Sequence, residues 1–160
     1  MKTAHTLKRI AVALSLLSTA FISQPLHAQT TWSGAGADDN WITPENWGGI
    51  IPTDGSSLIF DGATRLNNTN DLTLNGIASI TFNTDGFILN GNSLSLSTSA
   101  ITNLVGTNVI GMDLTWGTAG SLSAAPDSEL VIAGALTNPF ATGSSNVTYT
   151  GGGRIRYTGS

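Results

Sequence analysis

The chain has 160 residues, six basic and ten acidic side chains, and no cysteine. The lack of cysteine excludes a disulfide framework and any thiolate metal site. Charged residues make up 10% of the chain, well below the ~25% of an ordinary domain. A folded form must therefore depend on packing and on uncharged polar groups.

Residues 1–28 have the pattern of a secretory signal peptide. Three basic residues precede a mostly apolar run at 10–22, and Ala28 offers a small residue at a cleavage position. This order is typical of a secretory signal, and the apolar run is shorter than the ~20 residues that span a bilayer. The sequence predicts an exported, secreted or surface-located chain that begins at Gln29, without membrane insertion of the mature chain.

Removal of residues 1–28 would change the available chemistry. Both histidines and both lysines lie in that segment, so three arginines remain against ten acidic residues. This balance argues against nucleic-acid binding, which needs a basic surface. Without histidine or cysteine, a Ser-His-Asp or Cys-His site and a zinc site are excluded. We therefore expect a protein that is not an enzyme, with no catalytic residue, no cofactor and no metal site.

From residue 58 onward, two apolar residues repeatedly flank one intervening position. Because successive side chains on a strand point to opposite faces, each pair places two apolar groups on one side. The intervening residue is often Thr or Ser, which suits a solvent-facing strand position. The pairs are Leu58/Phe60, Leu72/Leu74, Ile80/Phe82, Phe87/Leu89, Leu94/Leu96, Leu114/Trp116, Leu130/Ile132, Val147/Tyr149 and Ile155/Tyr157.

Turn dipeptides such as Asp54-Gly55, Asn75-Gly76 and Asn90-Gly91 separate these short strands, since their residues tolerate positive φ. Two all-β architectures fit. One is a right-handed parallel β-solenoid with coils of roughly 20–24 residues, stacked ~4.8 Å apart. The other is an antiparallel β-sandwich, in which Asn-Gly and Asp-Gly are ordinary hairpin turns. The pattern alone does not separate the two.

Residues 29–53 differ from the repeats that follow at 54–160. Trp32, Trp41 and Trp47 lie close together in this segment. An open solenoid end exposes its core and an unpaired strand edge, which favours aggregation. We interpret 29–53 as an N-terminal aromatic cap. A second hypothesis is carbohydrate binding, with the three tryptophan rings stacked on sugar rings.

Acidic residues are the remaining candidates for catalysis. Asp38, Asp39, Asp54, Asp61 and Asp71 could supply the paired carboxylates that glycoside cleavage needs. Asp54 and Asp61 precede glycine, however, and Asp in such a turn commonly bonds its own backbone. A polysaccharide-cleaving β-helix enzyme is therefore the third hypothesis.

The run Trp32-Ser-Gly-Ala-Gly-Ala-Asp-Asp-Asn-Trp41, the following Pro44-Glu-Asn-Trp47-Gly-Gly, and Leu58-Ile-Phe60-Asp-Gly resemble autotransporter-associated β-strand repeat proteins. These are secreted or surface proteins of Gram-negative-type bacteria, and the resemblance covers about residues 31–96. It implies a β-solenoid, which it favours over the sandwich, and a structural or surface-display role with no catalytic residues. Family members are usually longer, so the resemblance implies a fragment, a truncated gene or a stand-alone short paralogue. The partners that we consider are a surface polysaccharide and, through the solenoid ends, another copy.

Overall fold

The computed structural model describes residues 28–117, 119–137 and 147–159. The predicted signal peptide lies outside these residues except for Ala28. Within the described part of the chain, no helix is both long and apolar enough to cross a membrane.

The described residues form short strands and one 3-10 helix, Pro44–Trp47. The strands are β1 (Gln29–Trp32), β2 (Ser57–Phe60), β3 (Asn67–Asn70), β4 (Ile77–Phe82), β5 (Ile88–Gly91), β6 (Leu94–Asn103), β7 (Thr107–Ile110), β8 (Leu114–Trp116), β9 (Gly120–Ala124), β10 (Glu129–Ile132), β11 (Leu136–Thr137), β12 (Val147–Thr150) and β13 (Arg154–Tyr157).

All pairs among these strands are parallel, and they form two sheets. One sheet has the order β1-β2-β4-β6-β8-β11, with β9 between β6 and β12; the other has the order β13-β10-β7-β5-β3. The chain is a β-solenoid of about four turns. The predicted parallel solenoid is confirmed, and the antiparallel sandwich is wrong because no described strand pair is antiparallel.

The long strand β6 belongs to two sides of the solenoid. Its first part, Leu94–Leu96, pairs with β8, while Ala100–Asn103 pairs with β9. We call the ladder of Leu94–Leu96, β8 and β11 the third side. Because the two parts of β6 pair with different strands, each later coil has three sides around one core.

The register shows the length of a coil directly. Leu58 pairs with Ile80, Ile80 with Ile101, and Ile101 with Leu122. A coil is therefore 21 or 22 residues from β2 to β9, within the predicted range, whereas Gln29 and Ser57 are 28 residues apart and Gly120 and Val147 are 27 apart. Because equivalent residues stack, each buried aliphatic side chain lies over another, and burial of one such side chain contributes ~1.5–3 kcal/mol.

The core is aromatic at its N-terminal end. Trp32 is in register with Phe60, and Phe60 with Phe82; all three are fully buried. The Phe60 and Phe82 rings stack with centroids 5.3 Å apart. Further along, the same register position is taken by Asn103 and Ala124, so this column of stacked aromatic side chains ends at Phe82.

The predicted cap segment, 29–53, contains one strand. Residues 29–32 form β1, which pairs in register with β2, and Thr30 and Trp32 are its buried members. The stacked sheet therefore begins at Gln29, and the cap segment contributes its first strand.

Three predicted strand pairs differ from the structure. Leu72–Leu74 forms no strand. Tyr149 is 63% exposed and Tyr157 is 51% exposed, although they are in register with the buried residues Leu122 and Ile132. The reason is positional: among the described residues, no further strand packs over β12 or β13.

Candidate functional site

The three cap tryptophans pack against one another rather than facing solvent. Trp32 and Trp41 are 0% exposed and Trp47 is 4% exposed. The ring of Trp47 meets those of Trp32 and Trp41 edge to face, at centroid distances of 5.0 and 5.4 Å, a favoured aromatic geometry. All three rings also approach Phe60. The cap is thus continuous with the core.

Hydrogen bonds fix the orientations of two of the three rings. Trp41 Nε1 donates to Asn68 Oδ1 at 2.7 Å, and Trp47 Nε1 donates to the carbonyl of Trp41 at 2.9 Å. Both donors are buried, so an unpaired N–H there would be costly. The enclosed rings leave no open face on which a sugar could stack. This placement favours the cap interpretation over carbohydrate binding by Trp32, Trp41 and Trp47.

The cap also covers a strand edge. The amide of Trp41 donates to the carbonyl of Thr69 at 3.0 Å, and the amide of Thr69 donates to the carbonyl of Asp39 at 2.9 Å. Asn40 and Thr69 form an isolated parallel bridge. Residues 39–41 therefore occupy the edge of β3, which would otherwise expose unpaired backbone groups.

Asn46 joins the cap segments. Its side-chain amide donates to the carbonyls of Asp38 at 3.0 Å and Asn40 at 2.9 Å, and its Oδ1 accepts from the amide of Gly36 at 2.8 Å. Asn46 is fully buried, and these bonds satisfy both ends of its side chain.

Asp38 and Asp39 have structural partners. Asp38 Oδ1 accepts from Thr43 Oγ1 at 2.7 Å and from the amide of Asn40 at 3.0 Å. The Thr43 bond foremost, and then the Asn40 bond, lower the pKa of the Asp38 carboxyl. Asp39 forms an ion pair with Arg65 at 2.9 Å. These contacts tie the cap loop together and do not form a carboxylate pair.

The corner aspartates bond between coils. Asp54 lies in a turn, as the Asp-Gly pair predicts, but its carboxylate bonds outside that turn. Its Oδ1 accepts from an amide in the next coil, as do those of two other aspartates: the pairs are Asp54–Asn75, Asp85–Thr107 and Asp113–Ala135, at 2.7, 2.7 and 2.8 Å. Each carboxylate thus connects successive coils.

The other two candidate carboxylates stand apart from these contacts. Asp71 Oδ1 accepts from the amide of Ile42 at 2.9 Å, which connects a corner to the cap. Asp61 is exposed. Across residues 28–117, 119–137 and 147–159, no group of three or more His, Cys, Asp or Glu lies close enough to hold a metal ion.

Sequence reasoning missed a buried asparagine pair. Asn108 Nδ2 donates to Asn103 Oδ1 at 2.7 Å and to the carbonyl of Thr84 at 3.0 Å, and Asn108 Oδ1 accepts from the amide of Phe87 at 2.7 Å. Asn103 Nδ2 reaches the carbonyl of Glu129 in the next coil at 3.0 Å. The only available signal was alternation, since Asn103 follows Ile101 and Asn108 precedes Ile110 at every-second-residue spacing.

An ion cluster lies near the C-terminal end. Glu129 contacts Arg156 at 2.8 Å and Arg154 at 3.3 Å. The hydrogen bond from Arg156 is the main cause that lowers the pKa of the Glu129 carboxyl, and both positive charges add to it. The cluster joins β10 to β13.

Comparisons with known proteins assign no family to this chain. The resemblance to autotransporter-associated repeat proteins remains a prediction from residues 31–96. No protein-family model, no curated protein and no solved structure matches the chain.

Proposed function

We propose that the chain is a non-catalytic structural module of an exported bacterial protein, secreted or displayed at the cell surface like the autotransporter-associated proteins that it resembles. The observation that supports this most is the enclosed cap of Trp32, Trp41 and Trp47, which continues into a core shared by successive coils. Such a body is suited to holding a fixed shape outside the cell without disulfides.

The use of the polar side chains also supports a structural role. The carboxylates of Asp54, Asp85 and Asp113 bond to the next coil, and Asn103 and Asn108 bond to carbonyls around them. About four turns stacked ~4.8 Å apart give a body roughly 20 Å long. In this role the partners are a surface polysaccharide or, through a solenoid end, a second copy.

The test is production of the full chain in a Gram-negative host, followed by fractionation and N-terminal sequencing. We expect a folded product outside the cytoplasm that begins at Gln29. The matched control carries Leu14→Glu, Leu16→Glu and Leu17→Glu, which interrupt the apolar run and should keep the chain in the cytoplasm. An uncleaved cytoplasmic product from the unmodified chain would contradict the proposal.

The same exported product tests the non-catalytic part of the proposal. We expect no turnover of neutral or uronate polysaccharides, with or without calcium. Turnover that disappears in Asp54→Asn or Asp71→Asn would instead identify a polysaccharide-cleaving enzyme.

A further inference from the structure

Two adjoining clefts lie beside the start of the third side. Their volumes are about 450 and 410 Å³, within the ~300–1,000 Å³ range of small-molecule sites. Both clefts are lined by Leu72, Thr73 and Leu74. Together they form a groove, which we call the third-side groove, that runs across successive coils.

The groove exists because the first coil lacks a strand on this side. Residues 72–74 are not a strand, whereas the equivalent Leu94–Leu96 belongs to β6. Ser95 pairs with Thr115 in the following coil, and no described residue pairs with it on the side of Thr73. Backbone groups at this position are consequently not bridged into a continuous ladder.

Donors in the groove are unused by the protein. The amides of Thr73 and Leu74, and the hydroxyls of Thr73, Ser95 and Thr115, donate to no other described residue. Hydroxyls elsewhere join coils, as Thr84 Oγ1 does by donating to the carbonyl of Gly62 at 3.0 Å. The groove therefore presents donors and acceptors to whatever lies in it.

The charge of the groove points to an uncharged ligand. Asp54 is the one ionisable residue that lines either cleft, and its two oxygens accept from Asn75 at 2.7 and 3.3 Å. Leu74 is buried and Leu72 is half-buried at the base of the groove, which provides an apolar surface. The hydroxyls match the polar edge of a sugar ring, and the apolar base matches its apolar face.

Successive coils supply these hydroxyls in a row. Ser95 and Thr115 are in register, and Thr73 lies at the corresponding place in the preceding coil. At ~4.8 Å per coil, the row extends roughly 10 Å, which suits a short linear oligosaccharide. An extended peptide would need a longer free strand edge, but Leu96 is already paired with Ile77.

We propose that the third-side groove binds a neutral oligosaccharide segment of a surface polysaccharide, held by hydroxyl and backbone donors over Leu72 and Leu74. This assigns carbohydrate binding to a site that contains none of the cap tryptophans. It does not rest on the structural role proposed above, because a scaffold with or without a bound glycan would be exported alike.

The test is a ¹⁵N NMR titration of the exported chain with linear glucose hexasaccharides of α-1,4, β-1,3 and β-1,4 linkage and a β-1,4 mannose hexasaccharide. A galacturonate hexasaccharide serves as the charged comparison. We expect at least one neutral probe to shift the amides of Thr73, Ser95 and Thr115. Absence of binding by every neutral probe at millimolar concentration, preference for galacturonate, or shifts centred on the cap would overturn the proposal.

Matched variants locate the site independently. Ser95→Arg fills the groove, whereas Thr107→Arg places the same side chain at an exposed position of β7 in the other sheet. We expect Ser95→Arg to weaken binding at least about tenfold, equivalent to ~1.4 kcal/mol, and Thr107→Arg to change it less than about twofold. If Ser95→Arg lowers the thermal transition, Thr73→Arg at the exposed wall replaces it. Equal effects of the groove and control variants would overturn the assignment.

Discussion

Asparagine and aspartate have different places in this solenoid. The aspartates lie at exposed corners, where the carboxylates of Asp54, Asp85 and Asp113 accept amides of the next coil. Asn103 and Asn108 instead point inward and are fully buried. A buried amide is tolerated only when its hydrogen bonds are made, and here they hold the chain corners around it.

The aliphatic positions were predictable from sequence, but these asparagines were not. Alternation identifies Leu58 and Ile80 as core residues, since a strand with one buried face needs an apolar residue at every second position. Asn beside Gly or Thr favours a turn on local grounds. Which backbone groups come within reach of Asn108 depends on residues 21–24 positions away, namely the carbonyl of Thr84 and the amide of Phe87, and so on the coil register.

Asn108→Ala should lower the free energy of unfolding by more than about 2 kcal/mol, because it leaves the amide of Phe87 and the carbonyl of Thr84 unpaired, at ~1–3 kcal/mol per buried group. Urea denaturation followed by tryptophan fluorescence measures the change. Asn90→Ala is the matched control, since the Asn90 side chain makes one exposed bond, to Asn67 at 2.7 Å; it should cost less than about 1 kcal/mol. Similar losses in both variants would contradict the inward role of Asn108.

At the scale of strands and coils, the backbones approach so closely that some positions admit no side chain. Gly91 ends β5 with φ of 103°, and a Cβ there would overlap the carbonyl oxygen of Asn70 in the preceding coil. Gly49 in the cap has nearly the same φ, 104°, but nothing lies within 4 Å of a Cβ there. A comparison of substitutions at the two glycines therefore distinguishes the cost of backbone strain from the cost of crowding between coils.

Gly49→Ala should cost about 1–2 kcal/mol, the strain of a left-handed residue with a side chain. Gly91→Ala should cost distinctly more, because it adds a collision with backbone atoms that cannot rotate away. Thermal and urea unfolding of the two variants provide the comparison. Equal destabilisation would mean that the coils can separate at Gly91 without loss.

Whether an apolar pair lies on a strand was predictable where strands stack, but not where strand formation depends on a neighbouring segment. Leu72/Leu74 and Leu94/Leu96 have the same apolar pattern, yet only the second pair lies on a strand. Strand formation at Leu94–Leu96 depends on its partner β8, which the pattern at 72–74 cannot report. Likewise, Asn-Gly and Asp-Gly fit corners and hairpins equally, so parallel pairing was not decided by the turns. The third-side groove was therefore not predictable.

The whole molecule has two unlike ends. At the N-terminal end, 33–53 cover the core with buried tryptophans, and at the other end Tyr149 and Tyr157 remain more than half exposed. In a repeat structure, stability is approximately a sum over each unit and its neighbours. The last strands have one neighbouring coil among the described residues and should open first.

Hydrogen exchange can test this gradient with two similar amides. Ala78 donates to the carbonyl of Ser56 at 2.9 Å, and Arg154 donates to the carbonyl of Ser128 at 2.8 Å. We expect the Arg154 amide to exchange at least about tenfold faster, because local opening at an end costs less than global unfolding. Equal protection measured by NMR would indicate that the described body opens as one cooperative unit.

The 21–22-residue register of the middle coils has a consequence for how such a molecule changes in size. Insertion of one whole coil leaves every inward-facing side chain facing inward and adds one layer of thickness. It does not change the contacts between the cap and the first coil. Insertion of a single residue within a strand turns all following side chains on that strand to the wrong face. Viable length variants of this architecture should accordingly be quantised, with heights that differ by integral layers.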